Sequence, residues 1–211
     1  MPILPDTARG ARELILRIFA SDNEDNTSST QAKEKIEIKT VQIRKVTLFD
    51  ELWENYPVNS TYTEAYTLVG GQALALHLEN PDAYTNACAL RFSRSVNYTG
   101  YNISRRDSSR GGAVKGGDGL TYLIRVKDAI KFVKNNFGDP TETFKSKDHN
   151  MSEVRNKLTN KRGIIIFDVA GWGDASGHVT LWNGKTCGDH CYFTHDNPDI
   201  QTTEIFFWEI D

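Results

Sequence analysis

Cys88, His178 and Asp189 are the residues of this chain whose types and order could do covalent chemistry. A cysteine attacks as its thiolate, a histidine exchanges protons near neutral pH, and an acid can orient the imidazole and stabilise its charged form. His178 follows Cys88 by ninety residues, and Asp189 follows His178 by eleven. Cys88 would be the nucleophile, His178 the base and later the acid for a leaving amine, and Asp189 the orienting group. Backbone N–H groups near Cys88 would form the oxyanion hole. The cysteine count agrees, since three is odd: Cys187 and Cys191 lie close together and Cys88 is left over. Three buried, reduced cysteines remain the structural alternative. A rival set, Cys187, His190, Cys191 and His195, crowds four zinc-ligating types into nine residues. It lacks the distant second ligand pair of common zinc folds, so no metal and no cofactor is expected.

Each of these side chains needs an element to hold it. Residues 85–92 read as the start of a helix, capped by Thr85 or Asn86, with Ala87, Leu90 and Arg91 as good helix formers. Ala89, Phe92 and Val96 can face the core. Cys88 then sits in the first turn, where backbone N–H groups and the helix dipole favour an anion. Position alone leaves a small buried hydrophobe equally open. The apolar run 163–169 reads as a buried strand, followed by a glycine-rich turn and a second strand, 178–182, that opens with His178. Asn183-Gly184 supplies the positive-φ pair of a tight hairpin turn, which would return Asp189, on the next strand, near the level of His178.

The remaining segments build the scaffold. Thr47 and Asp50 match a capping box, and Phe49, Leu52, Trp53 and Tyr56 form one apolar stripe that Pro57 stops. Those aromatics read as core and not as a ligand platform. Gly70-Gly71 precedes a short helix over 72–80. Residues 105–119 read as an exposed loop whose glycine pairs do not fit a phosphate-binding pattern. A strand over 122–126, a helix over 127–137 closed by Gly138 and Pro140, a short helix over 151–160 and a final strand over 202–210 complete the chain. Upstream, residues 7–20 suit a short helix, 21–35 are a polar linker, and 36–39 with 41–43 alternate like a strand. Helices gather early and antiparallel strands late, which predicts an α+β domain.

Composition bounds the function classes. A chain of 211 residues, 38% hydrophobic and 25% charged, suits one globular domain with an appendage. A net charge of −3 argues against a general electrostatic grip on nucleic acid. No apolar run approaches the roughly 20 residues of a membrane span, so no membrane insertion is expected. Glu13 and Arg17 interrupt the apolar N-terminal stretch, which is not a signal-peptide pattern.

The motifs together carry a family resemblance. Asn86-Ala87-Cys88-Ala89-Leu90-Arg91 resembles the nucleophile motif of the type VI secretion amidase effectors, fourth family. The run from Gly177 to Gly184, with Cys187 and Asp189, resembles that family's His/Asp segment, and the run from Phe49 to Pro57 is similar to its opening helix. The similarity extends from about Thr47 to the C-terminus. It implies a papain-like cysteine amidase fold, with N-terminal helices packed on an antiparallel sheet. The implied activity is a peptidoglycan amidase, a DL-endopeptidase that hydrolyses the γ-D-glutamyl–diaminopimelate bond of stem peptides. Such a protein is an antibacterial toxin, made in the cytoplasm without a signal peptide and delivered to the periplasm of a target bacterium. The resemblance also implies a cognate immunity protein that plugs the cleft, and it carries over Cys88, His178 and Asp189 as catalytic residues. In an oxidising periplasm Cys187 and Cys191 should pair and leave Cys88 free.

Residues 1–46, an N-terminal extension of short helix plus polar linker, have no counterpart in the short effectors; 47–211 would be the amidase domain. Docking to the secretion apparatus, a fusion remnant and recruitment to another role all stay open for the extension. Specificity would come from a groove between the Cys88 helix and the His178 hairpin, flanked by Gly111-Gly112 and Gly171-Trp172-Gly173. Two other functions compete: an acyltransferase or hydrolase acting on another isopeptide, and a non-enzymatic binding module whose Cys88 is merely buried.

Overall fold

The expected capping box opens the described chain. Thr47 Oγ1 accepts the Asp50 N–H and Asp50 Oδ2 accepts the Thr47 N–H, both at 3.2 Å, and helix α1 runs over Leu48–Asn55. The computed structural model describes residues 46–173 and 175–211; the helix, linker and strand expected between residues 7 and 43 lie outside them. Phe49, Leu52 and Tyr56 are buried as the stripe requires, while Trp53 is half-buried. A second capping box, Thr61 with Glu64, starts α2 over Tyr62–Val69, a helix the sequence reading passed over. Helix α3 follows over Gly71–Glu79.

Helix α4, Cys88–Tyr98, is buried along most of its length, including Arg91, Ser93, Ser95 and Asn97. A helix this deep must satisfy its polar side chains inside the protein. Ser95 Oγ donates to Leu52 O at 2.6 Å, Ser93 Oγ accepts the Leu123 N–H at 2.8 Å, and Asn97 Nδ2 donates to Thr121 O at 2.8 Å. These bonds fix α4 against α1 and the strand that carries Thr121 and Leu123.

The segment expected as an exposed loop over 105–119 contains strand β1, Ala113–Lys115, paired antiparallel with β2, Thr121–Leu123. Its glycine pair packs on the α2–α3 junction, where the Gly117 N–H donates to Val69 O at 2.9 Å. Helix α5 spans Val126–Phe137, so the strand before it is shorter than the apolar run suggested. Strand β3, Glu142–Lys145, helix α6, Met151–Lys157, and strands β4, Gly163–Ala170, β5, Gly177–Trp182, and β6, Gln201–Glu209, follow.

Strands β3, β6, β4 and β5 form one antiparallel sheet in that spatial order. One core packs α1, α4 and α5 against Ile164, Ile166, Val179, Leu181 and Trp208. A second core covers the opposite face, with Ile165, Phe167, Trp182 and Phe207 beneath Val154, Leu158 and the segment of Cys187 and Phe193. Burial on both faces explains why β4 is apolar without alternation. Each such side chain contributes roughly 1.5–3 kcal/mol when fully buried, so residues 164–167, all at 0% exposure, anchor the sheet. The result is the expected α+β architecture, with early helices packed on a late antiparallel sheet.

Candidate active site

Three segments deliver side chains to one point at the edge of the sheet. Cys88 is the first residue of α4 and is only 1% exposed. Ala87 occupies the N-cap position without a capping side chain, and Asn86 Oδ1 reaches the Cys88 N–H from one residue further out, at 3.3 Å. His178 is the second residue of β5 and is 4% exposed. Alternation along the strand sends Val179 and Leu181 to the helical core, and His178 and Thr180 to the face that meets the Cys187–Asp189 segment.

That segment is not the strand the hairpin reading expected. Among the described non-glycine residues only Asn59 and Asn160 have positive φ, so Asn183 does not form the tight positive-φ turn. Its Oδ1 instead accepts the N–H groups of Lys185 at 3.0 Å and Thr186 at 2.9 Å, with Gly184 at φ +92°. The chain returns through one bridge, Trp182 to Cys187, and is then closed by the Cys187–Cys191 disulfide, with Cα atoms 5.5 Å apart. A cross-link over four residues bends the backbone out of extended geometry, so Asp189 sits on a short loop. Gly188 is packed so tightly that a Cβ there would lie 2.7 Å from the Tyr56 ring.

Asp189 is the centre of the site. Its side chain is 1% exposed; Oδ1 lies 2.9 Å from His178 Nε2, and Oδ2 accepts from Arg91 Nη1 at 3.1 Å. With Nε2 engaged, Nδ1 is the ring nitrogen left for the Cys88 thiol, which is near enough to raise the basicity of the imidazole. Burial works to lower the basicity of His178, but the charges of Asp189 and Cys88 outweigh it and push its pKa up to about 10. Burial works to raise that of Asp189, and the opposing pull of His178, Thr180 and Arg91 holds it well below the usual carboxylate range. Tyr56 and Thr180 adjoin the carboxylate, although their hydroxyls make no hydrogen bond of ordinary geometry.

Two cavities of about 490 Å³ each meet at Asn86 and Ala175. The first is walled by Ser60, Tyr62, Trp172, His178, Asp189 and Tyr192. The second contains Cys88, with Gly111, Asp82, Tyr84, Arg125 and Lys127. Both loops expected to flank the groove, at Gly111 and Trp172, therefore line it. The arrangement can perform nucleophilic acyl chemistry: a buried thiol, an imidazole and a carboxylate are gathered beside an open cleft.

The family described as type VI secretion system amidase effector protein 4 matches residues 84–208. The chain belongs to the type VI amidase effector 4 family. Members of this family with solved structures resemble it in fold as well. The effector of an effector–immunity complex, Tae4–Tai4, from Enterobacter cloacae is 32% identical, with a TM-score of 0.66 over 78% of this chain and 99% of that one. The Salmonella typhimurium effector Tae4, solved with the Enterobacter cloacae immunity protein Tai4, is 30% identical, with a TM-score of 0.65 over 78% and 99%. Another Salmonella typhimurium Tae4/Tai4 structure matches at 29% identity and a TM-score of 0.64, over 79% and 100%. No curated protein matched the chain. Family membership makes this protein an amidase effector of type VI secretion.

Cys88, His178 and Asp189, singled out from the sequence, are brought together. The rival zinc set is not: Cys187 and Cys191 are bonded to each other, and His195 Nε2 pairs with Thr202 Oγ1 at 2.9 Å. Two features went unread. Tyr192 stands edge-on to His178, with ring centroids 4.9 Å apart, and to Trp172 at 4.8 Å, forming an aromatic wall. Arg91, whose type suits a helix but does not foretell burial, is buried and bonded to Asp189. A cation at i+3 from the cysteine shares its helix face, and that spacing was the available signal.

Proposed function

We propose that this effector hydrolyses the γ-D-glutamyl–diaminopimelate amide of peptidoglycan stem peptides, with Cys88 as nucleophile, His178 as acid–base and Asp189 as the orienting carboxylate. The observation that supports this reading is the buried His178–Asp189 pair at 2.9 Å, its ring made more basic by the nearby Cys88, beside two adjoining cavities. The Cys88 thiolate attacks the γ-carbonyl of D-Glu, and the oxyanion is met by backbone N–H groups at the start of α4. The His178 imidazolium gives its proton to the departing diaminopimelate nitrogen, so the C–N bond breaks and a thioester remains. Neutral His178 then takes a proton from water, whose oxygen attacks the thioester. Collapse releases the γ-carboxylate of D-Glu, and the thiolate–imidazolium pair is restored.

The cleft chemistry supports this substrate class. Stem peptides carry free carboxylates, and Arg125 and Lys127 on the Cys88 side offer partners for them. The aromatic wall on the other side offers flat apolar area. The family relatives solved with Tai4 support a cognate immunity protein for this chain. Their coverage of 78% of the chain supports an amidase domain over 47–211, with 1–46 as an extension.

The test is a digest of diaminopimelate-type muropeptides read by mass spectrometry. Fragments ending in free D-Glu are expected, casein is expected to stay whole, and Cys88→Ala is expected to abolish turnover while keeping the fold. Wild-type activity in Cys88→Ala, or rapid casein cleavage, would refute the reading. Transfer to an added amine in place of hydrolysis would make the protein an acyltransferase.

A further inference from the structure

We propose that Arg91 is a positioning residue: it fixes Asp189 and the Ser60 segment in one relation to the Cys88 helix, so that the carboxylate keeps Oδ1 on His178. The inference rests on the proposed roles of Cys88, His178 and Asp189.

The Arg91 side chain is 7% exposed, and the three nitrogens of its guanidinium point two ways. Nη1 donates to Asp189 Oδ2 at 3.1 Å, while Nη2 donates to Ser60 O at 2.7 Å and Nε to Ser60 Oγ at 3.2 Å. Each carboxylate oxygen thus has one cationic partner, Arg91 on Oδ2 and His178 on Oδ1. Without the first, Oδ2 loses the cation that holds it, and the carboxylate gains freedom to rotate away from the ring. The Ser60 end matters too, because the Asn59 N–H donates to Gly188 O at 2.9 Å and ties the same segment to the disulfide loop. Arg91 shares a helix face with Cys88, so one rigid element carries both the thiol and the clamp on the acid.

The groups facing Asp189 are His178 and Thr180 from β5, Arg91 from α4 and Tyr56 from the end of α1, with Cys88 and Tyr192 further off. Arg91 and His178 are the cations among them. Lysine could keep the charge of Arg91 but could not span both Asp189 and Ser60, because its ammonium is a single centre without a fork.

The experiment compares Arg91→Met, Arg91→Lys, Asp189→Asn and the Arg91→Met/Asp189→Asn pair. It reads kcat per titrated thiol, KM and the alkaline limb of kcat/KM on muropeptide. Asp189 is the largest influence raising the pKa of His178. If Arg91 holds Asp189 in place, Arg91→Met lets the carboxylate move, and the alkaline limb falls by about one pH unit or more. kcat falls on the order of a hundredfold, with KM little changed. The pair should be no worse than Asp189→Asn alone. Arg91→Lys should keep the limb near the wild-type position and lose about tenfold in kcat. If Arg91 acted only as a nearby positive charge, its removal would leave the limb in place or raise it, and that result overturns the proposal. A rise in KM alone would make it a substrate contact and also overturns it. If Arg91→Met does not fold, Arg91→Lys decides, and full kcat in that variant refutes the clamp. An Asp189→Asn protein with wild-type kcat and limb would instead sink the triad reading, and this inference with it.

Discussion

At the residue scale, the pKa of His178 governs how activity and stability respond to pH. Its folded value, raised to about 10, lies above the ordinary 6.5 of histidine. The stability it contributes is therefore complete below about pH 6.5 and is lost as pH rises through about 10. Asp189 has the opposite sign: its folded pKa is depressed below 3.8, so its contribution is present above that value and is lost as pH falls through the folded one. Both contributions are complete between roughly pH 4 and 6.5. Two outcomes are expected. kcat/KM stays level from neutrality to about pH 9, then falls as the imidazolium that protonates the leaving amine is lost near pH 10. The difference in melting temperature between wild type and His178→Gln narrows earlier, from about pH 6.5 up to about pH 10, where the folded ring still holds a proton that the unfolded ring has lost. An alkaline limb near pH 7 would mean that Asp189 does not support the charged ring in solution.

At the scale of elements, the loop between Cys187 and Cys191 connects stability to chemistry. Asp189 lies midway in a disulfide-closed segment of sequence separation four. Closing so short a loop removes little chain entropy, about 2 kcal/mol. For a domain of this size that corresponds to roughly 4–8 °C in melting temperature. Its larger consequence is geometric, since Gly188 and Asp189 are pinned between Tyr56, Asn59 and Arg91. Replacing both cysteines by serine is therefore expected to lower kcat/KM by about tenfold or more while the domain still melts cooperatively. Parallel assays of melting and muropeptide hydrolysis check this. Loss of stability with full activity per folded molecule would show that Asp189 is held without the bond.

For the whole molecule, the helical layer and the sheet each carry part of the site, and two cores lock them together. α4 brings Cys88 and Arg91, β5 brings His178, and the loop beyond it brings Asp189. All of this lies after residue 46. A chain beginning at Arg44 is accordingly expected to match the full chain in melting temperature and in muropeptide turnover to within about twofold, because the caps, cores and cleft that hold the site are built from residues after 46. Measuring both proteins side by side checks this. A large loss of turnover on truncation would assign residues 1–46 a part in substrate binding.

Local chemistry made much of this legible in the sequence. The Thr47–Asp50 box, the Phe49–Tyr56 stripe, the apolar run of β4 and the cysteine in the first turn of α4 all depend on neighbours within a few positions. Thr61–Glu64 was equally local and went unread, as did β3, whose four residues hold a single buried side chain, Phe144. What tertiary structure alone decided involves partners far apart in the chain. β3 pairs with β6 across 59 to 65 positions, and Arg91 meets Asp189 across 98 positions. Helix propensity ranks arginine as a favourable surface residue and says nothing about burial; only a distant carboxylate with too few partners makes burying that charge favourable. The turn after β5 failed for a related reason. Asn-Gly favours a tight hairpin between two strands, but the returning segment is bent by its disulfide and drawn to Arg91, so Asn183 caps a wider turn with its side chain.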